Sequence, residues 1–227
     1  MPQTLTAQDL FRAAYENRYT WDADFPGYGA SVTLRSGGMT HRGQVQVNAD
    51  STFKVLNIAD RVLNIADKVL NIADEAAQRQ IKSQLWEITI HRVRHSFAET
   101  HGNNTFALGE TDETGAVEIL VSGAAMGNRY KVRDNTVCFV HRQIRDVVVN
   151  IHTFDTLTTD RGYLSTGYRS LYLDPNTGTA KGPETVFEDT FEAVGGYYLL
   201  TRRLIRTTVN DSPQVTEIEF SNVRLLS

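Results

Sequence analysis

Four stretches decide the fold: YLSTGYRSLYL at residues 163–173, ETVFEDTFEAV at 184–194, YYLLTRRLIRTTV at 197–209 and VTEIEFSNVRL at 215–225. Each is rich in β-branched and aromatic residues, which suit a pleated surface. DPNTG at 174–178, Gly195-Gly196 and NDSP at 210–213 separate them, and these are turn chemistries. The spacing predicts an up-and-down antiparallel meander of four strands. Runs of this length exceed the usual ~5–6 residues of a strand, and a sheet built from them bends around a helix or a cavity.

Upstream of the meander the pattern continues. Residues 105–154 are short, apolar-alternating and punctuated by the acidic turn 110–115, by Gly123 and Gly127, and by Asp134-Asn135. Near the N-terminus Ala30, Val32 and Leu34 alternate, Gly37-Gly38 turns the chain, and Val45 and Val47 followed by Phe53 and Val55 complete a small meander. Ahead of it, Thr6 can cap a helix over residues 7–18, with Leu10, Phe11, Ala14 and Tyr15 on one stripe.

Between the two β regions lies a triplicated heptad: VLNIADR (55–61), VLNIADK (62–68) and VLNIADE (69–75). With Val at the first heptad position, Ile58, Ile65 and Ile72 fall at the fourth, the seam of an amphipathic helix. The readings open at this point are a helix packed on the protein's own sheet, a dimerising coiled coil, and a partly stranded segment in which the first copy is still strand. Ala77, Ile81, Leu85 and Ile88 keep helical spacing, so one long helix is predicted to end near Phe97. The expected fold is α+β: a curved antiparallel sheet and a long helix, with an N-terminal helix, in a single domain over residues 1–227 that carries the heptads as an insertion at 55–75.

Composition narrows the function. Thr, Val and Ile supply 56 of 227 residues, which favours strand over helix, and the net charge of -4 offers no basic footprint for nucleic acid. The single Cys138 forms no internal disulfide and suits a reducing compartment. MPQTLTAQDL at the N-terminus lacks the pattern of a signal peptide, and no apolar run reaches the ~18 residues of a membrane span. A cytoplasmic protein is expected, at most peripheral to a membrane.

Chemistry-bearing motifs are sparse. His91 and His95 stand one helical turn apart with His101 nearby, but Arg92 and Arg94 flank them and no Glu follows the first His, so surface histidines are expected and no metal. Glu110, Asp112, Glu113 and Glu118 have the composition of a hairpin turn, without a calcium-loop pattern. Glu188 and Glu192 face away from Asp189 on one strand. No nucleophile elbow, phosphate loop, catalytic residue or cofactor site is read. The long strands do carry aromatics, and Tyr168, Tyr172, Phe187 and Phe191 are the candidate ligand-binding residues, which either pack on a helix or line a pocket for an apolar molecule.

DLFRAAYENRYTW at 9–21, FAETHGNNTFALGETDETG at 97–115, GAAMGNRYKVR at 123–133, and FEDTFEAVGGYYLLTRR with FSNVRL at 187–203 and 220–225 resemble a family of uncharacterised proteins common in cyanobacteria and found in chloroplasts. The order of elements is also similar to the layout of the LolA-like lipoprotein carriers, which implies that the curved antiparallel sheet is a half-barrel wrapped around the long helix. Together with the aromatic long strands and the amphipathic helix, the cyanobacterial resemblance leads to the expectation of a carrier for a lipid, isoprenoid or pigment, cytoplasmic or peripheral to thylakoid membranes. A scaffold that meets a protein partner or a second copy through the heptads is the second expectation, and an enzyme with an NTF2-like pocket is the third.

Overall fold

A computed structural model describes residues 5–60 and 75–227. The helices among them are α1 (Ala7–Glu16), α2 (Glu75–Ile90) and α3 (Phe97–His101). The strands are β1 (Gly27–Ser36), β2 (Met39–Asn48), β3 (Phe53–Asp60), β4 (Asn104–Thr111), β5 (Val117–Gly123), β6 (Arg129–Arg133), β7 (Thr136–Ile144), β8 (Val147–Thr159), β9 (Gly162–Leu173), β10 (Thr185–Val194), β11 (Tyr197–Val209) and β12 (Ser212–Leu225).

All the strands belong to one sheet in the order β3-β2-β1-β12-β11-β10-β9-β8-β7-β6-β5-β4. Every neighbour in that order is also a neighbour in sequence except β1 and β12, which pair antiparallel with Val32 opposite Phe220 and Leu34 opposite Ile218. The meander read from residues 163–225 is present as β9 to β12.

The expectation of a half-barrel wrapped around a long helix is overturned. The described residues are mostly strand, and their helices hold 10, 16 and 5 residues. Two local causes shorten the helical reading. The first heptad copy joins the sheet as β3, with Val55 opposite Val45 and Phe53 opposite Val47. The later helix stops at Ile90, where the Arg92 and Val93 N–H groups both donate to the Thr89 carbonyl and the Arg92 carbonyl accepts from the Trp21 N–H at 2.9 Å. Ser96 then starts α3 with its own capping box. The second and third heptad copies, up to residue 74, lie outside the described residues, and with them most of the predicted partner-binding helix.

The chain divides into two compact units. The first comprises Met1–Tyr19, His95–Phe187 and Thr207–Asp211, and the second Thr20–Arg94, Glu188–Arg206 and Ser212–Ser227.

In the first unit α1 lies against β4, β6 and β7. Thr6 caps it as its position predicts, accepting from the Asp9 N–H at 3.1 Å while the Asp9 carboxylate accepts from the Thr6 N–H. Phe11, Ala14 and Tyr15 on its inner stripe pack with Ile119, Val121, Tyr130 and Val132.

In the second unit α2 lies against β3, and the buried apolar residues include Ala77, Ile81, Leu85 and Ile88 of α2, Tyr28, Val32 and Leu34 of β1, and Ile218 and Phe220 of β12. Arg203 is 3% exposed and grips Asp189 at 2.6 and 2.8 Å, while its Nη1 donates to Gln84 of α2 at 2.9 Å and meets Glu87 at 3.2 Å. A buried cation is stable only when paired and hydrogen-bonded in this way. Burial pushes the Asp189 carboxyl upward and the Arg203 guanidinium opposes that shift.

Candidate functional site

The candidate residues on β9 and β10 are placed by strand alternation. Tyr168 and Tyr172 are four apart on β9, so they share a face, and the register continues that face across the sheet of the first unit. Thr153 stands opposite Tyr168, Ile151 opposite Ser170 and Val149 opposite Tyr172. One strand further, Val140 pairs with Ile151 and Arg142 with Val149. Beyond that, Tyr130 pairs with Val140. A single face of β6 to β9 therefore carries Tyr130, Val140, Arg142, Val149, Ile151, Tyr168, Ser170 and Tyr172.

Phe187 joins it. Its ring stacks on Tyr168 at 4.6 Å between centroids with 11° between planes. Tyr172 remains 50% exposed while Val149 and Ser170 are buried. Three of the four sequence-derived candidates thus sit in the first unit, and Phe191 does not: it belongs to the second, where the Arg92 guanidinium lies 5.4 Å over its ring.

Around Tyr130 on this face gathers a nest of rings from α1 and α3. Phe11 stacks on Tyr130 at 4.4 Å and meets Phe97 edge-on at 5.5 Å. His101, in the last turn of α3, presents its ring edge-on to Tyr15 at 5.0 Å and to Tyr130 at 6.0 Å. It is 6% exposed, and its Nδ1 has no hydrogen-bond partner among the described residues. Burial, reinforced by Arg142 and Arg18, lowers its imidazole from 6.5 to about 4.

Arg18 is held by backbone on both sides. The Tyr163 N–H donates to the Asn17 carbonyl at 2.9 Å and the Tyr19 N–H donates to the Tyr163 carbonyl at 2.8 Å, which ties residues 17–19 to the start of β9. Its own Nε donates to the Tyr15 carbonyl at 2.8 Å, and its guanidinium lies 3.7 Å over the Tyr15 ring. Arg142 stands on the same sheet face as the nest's Tyr130, two residues beyond Val140, which pairs with Tyr130. Both cations act on His101 and on Tyr130, whose phenol burial drives upward.

Other features resolve into structure. Among the described residues no three His, Cys, Asp or Glu side chains gather as a metal site, and His91 and His95 fall after the end of α2 rather than on one helical face. Asp112 closes its hairpin by accepting from the Thr114 and Ala116 N–H groups and from Lys131 Nζ at 2.6 Å, which holds its carboxyl far below the usual range. Cys138 is half-buried and its thiol is pushed up by burial, away from the reactive thiolate form. A depression of about 330 Å³ between Arg35, Met39, Arg202, Val215 and Glu217 in the second unit has its charges spent on one another, since Glu217 binds Arg202 at 2.6 Å and Arg35 at 3.0 Å. Among the described residues no helix is long and apolar enough to cross a membrane.

Comparison with solved structures gives distant likenesses. A LolA superfamily protein from Nitrosomonas europaea is 10% identical with a TM-score of 0.34, covering 99% of this chain and 95% of that one. A DUF1329 family protein from Desulfovibrio piger is 14% identical with a TM-score of 0.35, over 97% and 93%. A putative outer membrane lipoprotein-sorting protein domain from Vibrio parahaemolyticus is 9% identical with a TM-score of 0.33, over 96% and 92%. Scores of this size do not establish a shared fold. No curated protein matches the sequence. The family match, in contrast, spans nearly every residue: over residues 2–226 the chain belongs to the family described as Protein of unknown function (DUF3386).

Proposed function

We propose that the protein binds a hydrophobic small molecule on the β7 to β9 face of its first unit. One observation carries the reading: Tyr168 and Tyr172 share a face with Val149 and Ile151, Tyr168 stacks on Phe187, and Tyr172 is left half exposed at the end of that apolar row. An aromatic pair with an exposed neighbour offers flat apolar area at low entropic cost, which is how binding sites for apolar ligands are commonly lined. The cargo classes we propose are a lipid, an isoprenoid or a pigment, and an association with photosynthetic membranes rests on the sequence resemblance alone.

Solvent extraction of the purified protein followed by mass spectrometry identifies the cargo, and displacement of a fluorescent apolar probe measures affinity. Tyr172→Asp places a charge in the row at an exposed position. It is expected to weaken probe binding by about 10-fold, the equivalent of ~1.4 kcal/mol, without lowering the melting temperature. A wild-type protein that yields no apolar molecule on extraction and does not bind the probe sinks the reading.

A further inference from the structure

The first unit holds two guanidinium groups beside a buried aromatic nest, and among the described residues no carboxylate pairs with either. Several cations elsewhere are neutralised: Arg203 has Asp189, Arg202 and Arg35 have Glu217, Lys131 has Asp112, and Arg206 has Glu188. What sets Arg18 and Arg142 apart is their place, because both act on His101 and Tyr130, which are almost wholly withdrawn from water. A charge beside a low-dielectric region attracts a counter-ion more strongly than one in open solvent.

We propose that Arg18, Arg142 and the unpartnered Nδ1 edge of His101 form a headgroup site for the anionic oxygen end, carboxylate or phosphate, of an amphipathic ligand. The inference rests on the apolar reading above, and it deepens that reading by giving the ligand a direction. Arg142 stands in register with Val149 and Tyr172, so the cation and the exposed aromatic are the two ends of one row across β7, β8 and β9. Arg18 is fixed rather than swinging: the two backbone bonds to Tyr163 set its Cα, and the Tyr15 carbonyl and ring hold its guanidinium. A guanidinium so held still presents N–H donors in the fork that matches a carboxylate or phosphate. His101 is buried and neutral, so it contributes a hydrogen-bonding nitrogen without the cost of another buried charge.

The test uses the full chain, stripped of bound lipid, with a fluorescent apolar probe displaced by hexadecanoate, by hexadecanol and by inorganic phosphate. Hexadecanoate is expected to displace the probe at about 10-fold lower concentration than hexadecanol, the size of one charge-assisted contact. Arg142→Gln should bring the two within about 3-fold by weakening hexadecanoate alone, and Arg142→Lys should keep most of the preference. Arg142 is exposed and makes no ion pair among the described residues, so these variants should fold, which circular dichroism checks. Arg18→Gln provides a second variant with the same expected loss. Equal affinity of wild type for hexadecanoate and hexadecanol overturns the headgroup site and leaves the apolar reading standing. Binding of neither overturns both. Competition by inorganic phosphate at the concentration where hexadecanoate acts overturns the amphiphile, since the site would then take a free anion.

Discussion

His101 shows how one residue reports its surroundings. Unfolded, its imidazole takes up a proton near pH 6.5, and folded among Phe11, Tyr15 and Tyr130 it does so only near about 4. As pH falls between these values the unfolded state binds the proton first. The stability contributed by neutral His101 is therefore complete above about pH 6.5 and is lost as pH drops toward about 4, with a ceiling of about 3 kcal/mol. Urea unfolding at a series of pH values is expected to show that slope, and His101→Phe, which keeps the aromatic packing, should flatten it. An unchanged slope in the variant would show that the ring is not the group responsible. Arg203 is the matching case in the second unit. Arg203→Met leaves Asp189 buried without its partner and should cost about 3–5 kcal/mol in urea unfolding, whereas adding Asp189→Leu should recover much of that loss. Neither residue was legible as special in the sequence. Asp189 was read only by its strand face, and His101 as a neighbour of His91 and His95, because the packing that isolates each comes from segments far away in the chain.

At the scale of elements, the sequence is easiest to read where the chain turns. DPNTG, Gly195-Gly196 and NDSP mark the ends of β9 to β12, since a turn is a local matter of permitted backbone angles and side-chain hydrogen bonds. The heptads are harder because VLNIAD satisfies two periods at once: it supplies a seam at helical spacing and it also places Val55 opposite Val45 when used as a strand. Tertiary pairing at the edge of β2 chose strand for the first copy. Two element-scale predictions follow from the caps and close contacts. Thr6→Ala removes the acceptor for the Asp9 N–H and should cost about 1 kcal/mol, measured by chemical denaturation. Gly162 has φ +113°, and a Cβ there would lie 2.1 Å from the Asn17 carbonyl oxygen, in the contact that seats Arg18. Gly162→Ala should lose about 2–3 kcal/mol and also reduce the preference for a carboxylate over an alcohol. A variant that is destabilised yet keeps that preference would separate the strand junction from the headgroup site.

For the molecule as a whole, the sequence pointed to a sheet-rich protein with aromatic long strands, and three of its four candidate ligand residues share the first unit. The cationic half of the site was not foreseen. Arg18 lies just past a helix and Arg142 in a strand more than a hundred residues later, and only the pairing of Arg18 with Tyr163 and of Val140 with Tyr130 brings them to one nest. No local spacing encodes that meeting. The most direct test of the account is photocrosslinking with a long-chain carboxylate that bears a photoreactive group in its tail, followed by peptide mapping. The account predicts labelling of β8 and β9 around Tyr168 and Tyr172, reduced by about fivefold or more in both Tyr172→Asp and Arg142→Gln, as a loss of ~1 kcal/mol requires. Labelling confined to the second unit, or labelling of β8 and β9 that neither variant diminishes, would contradict it.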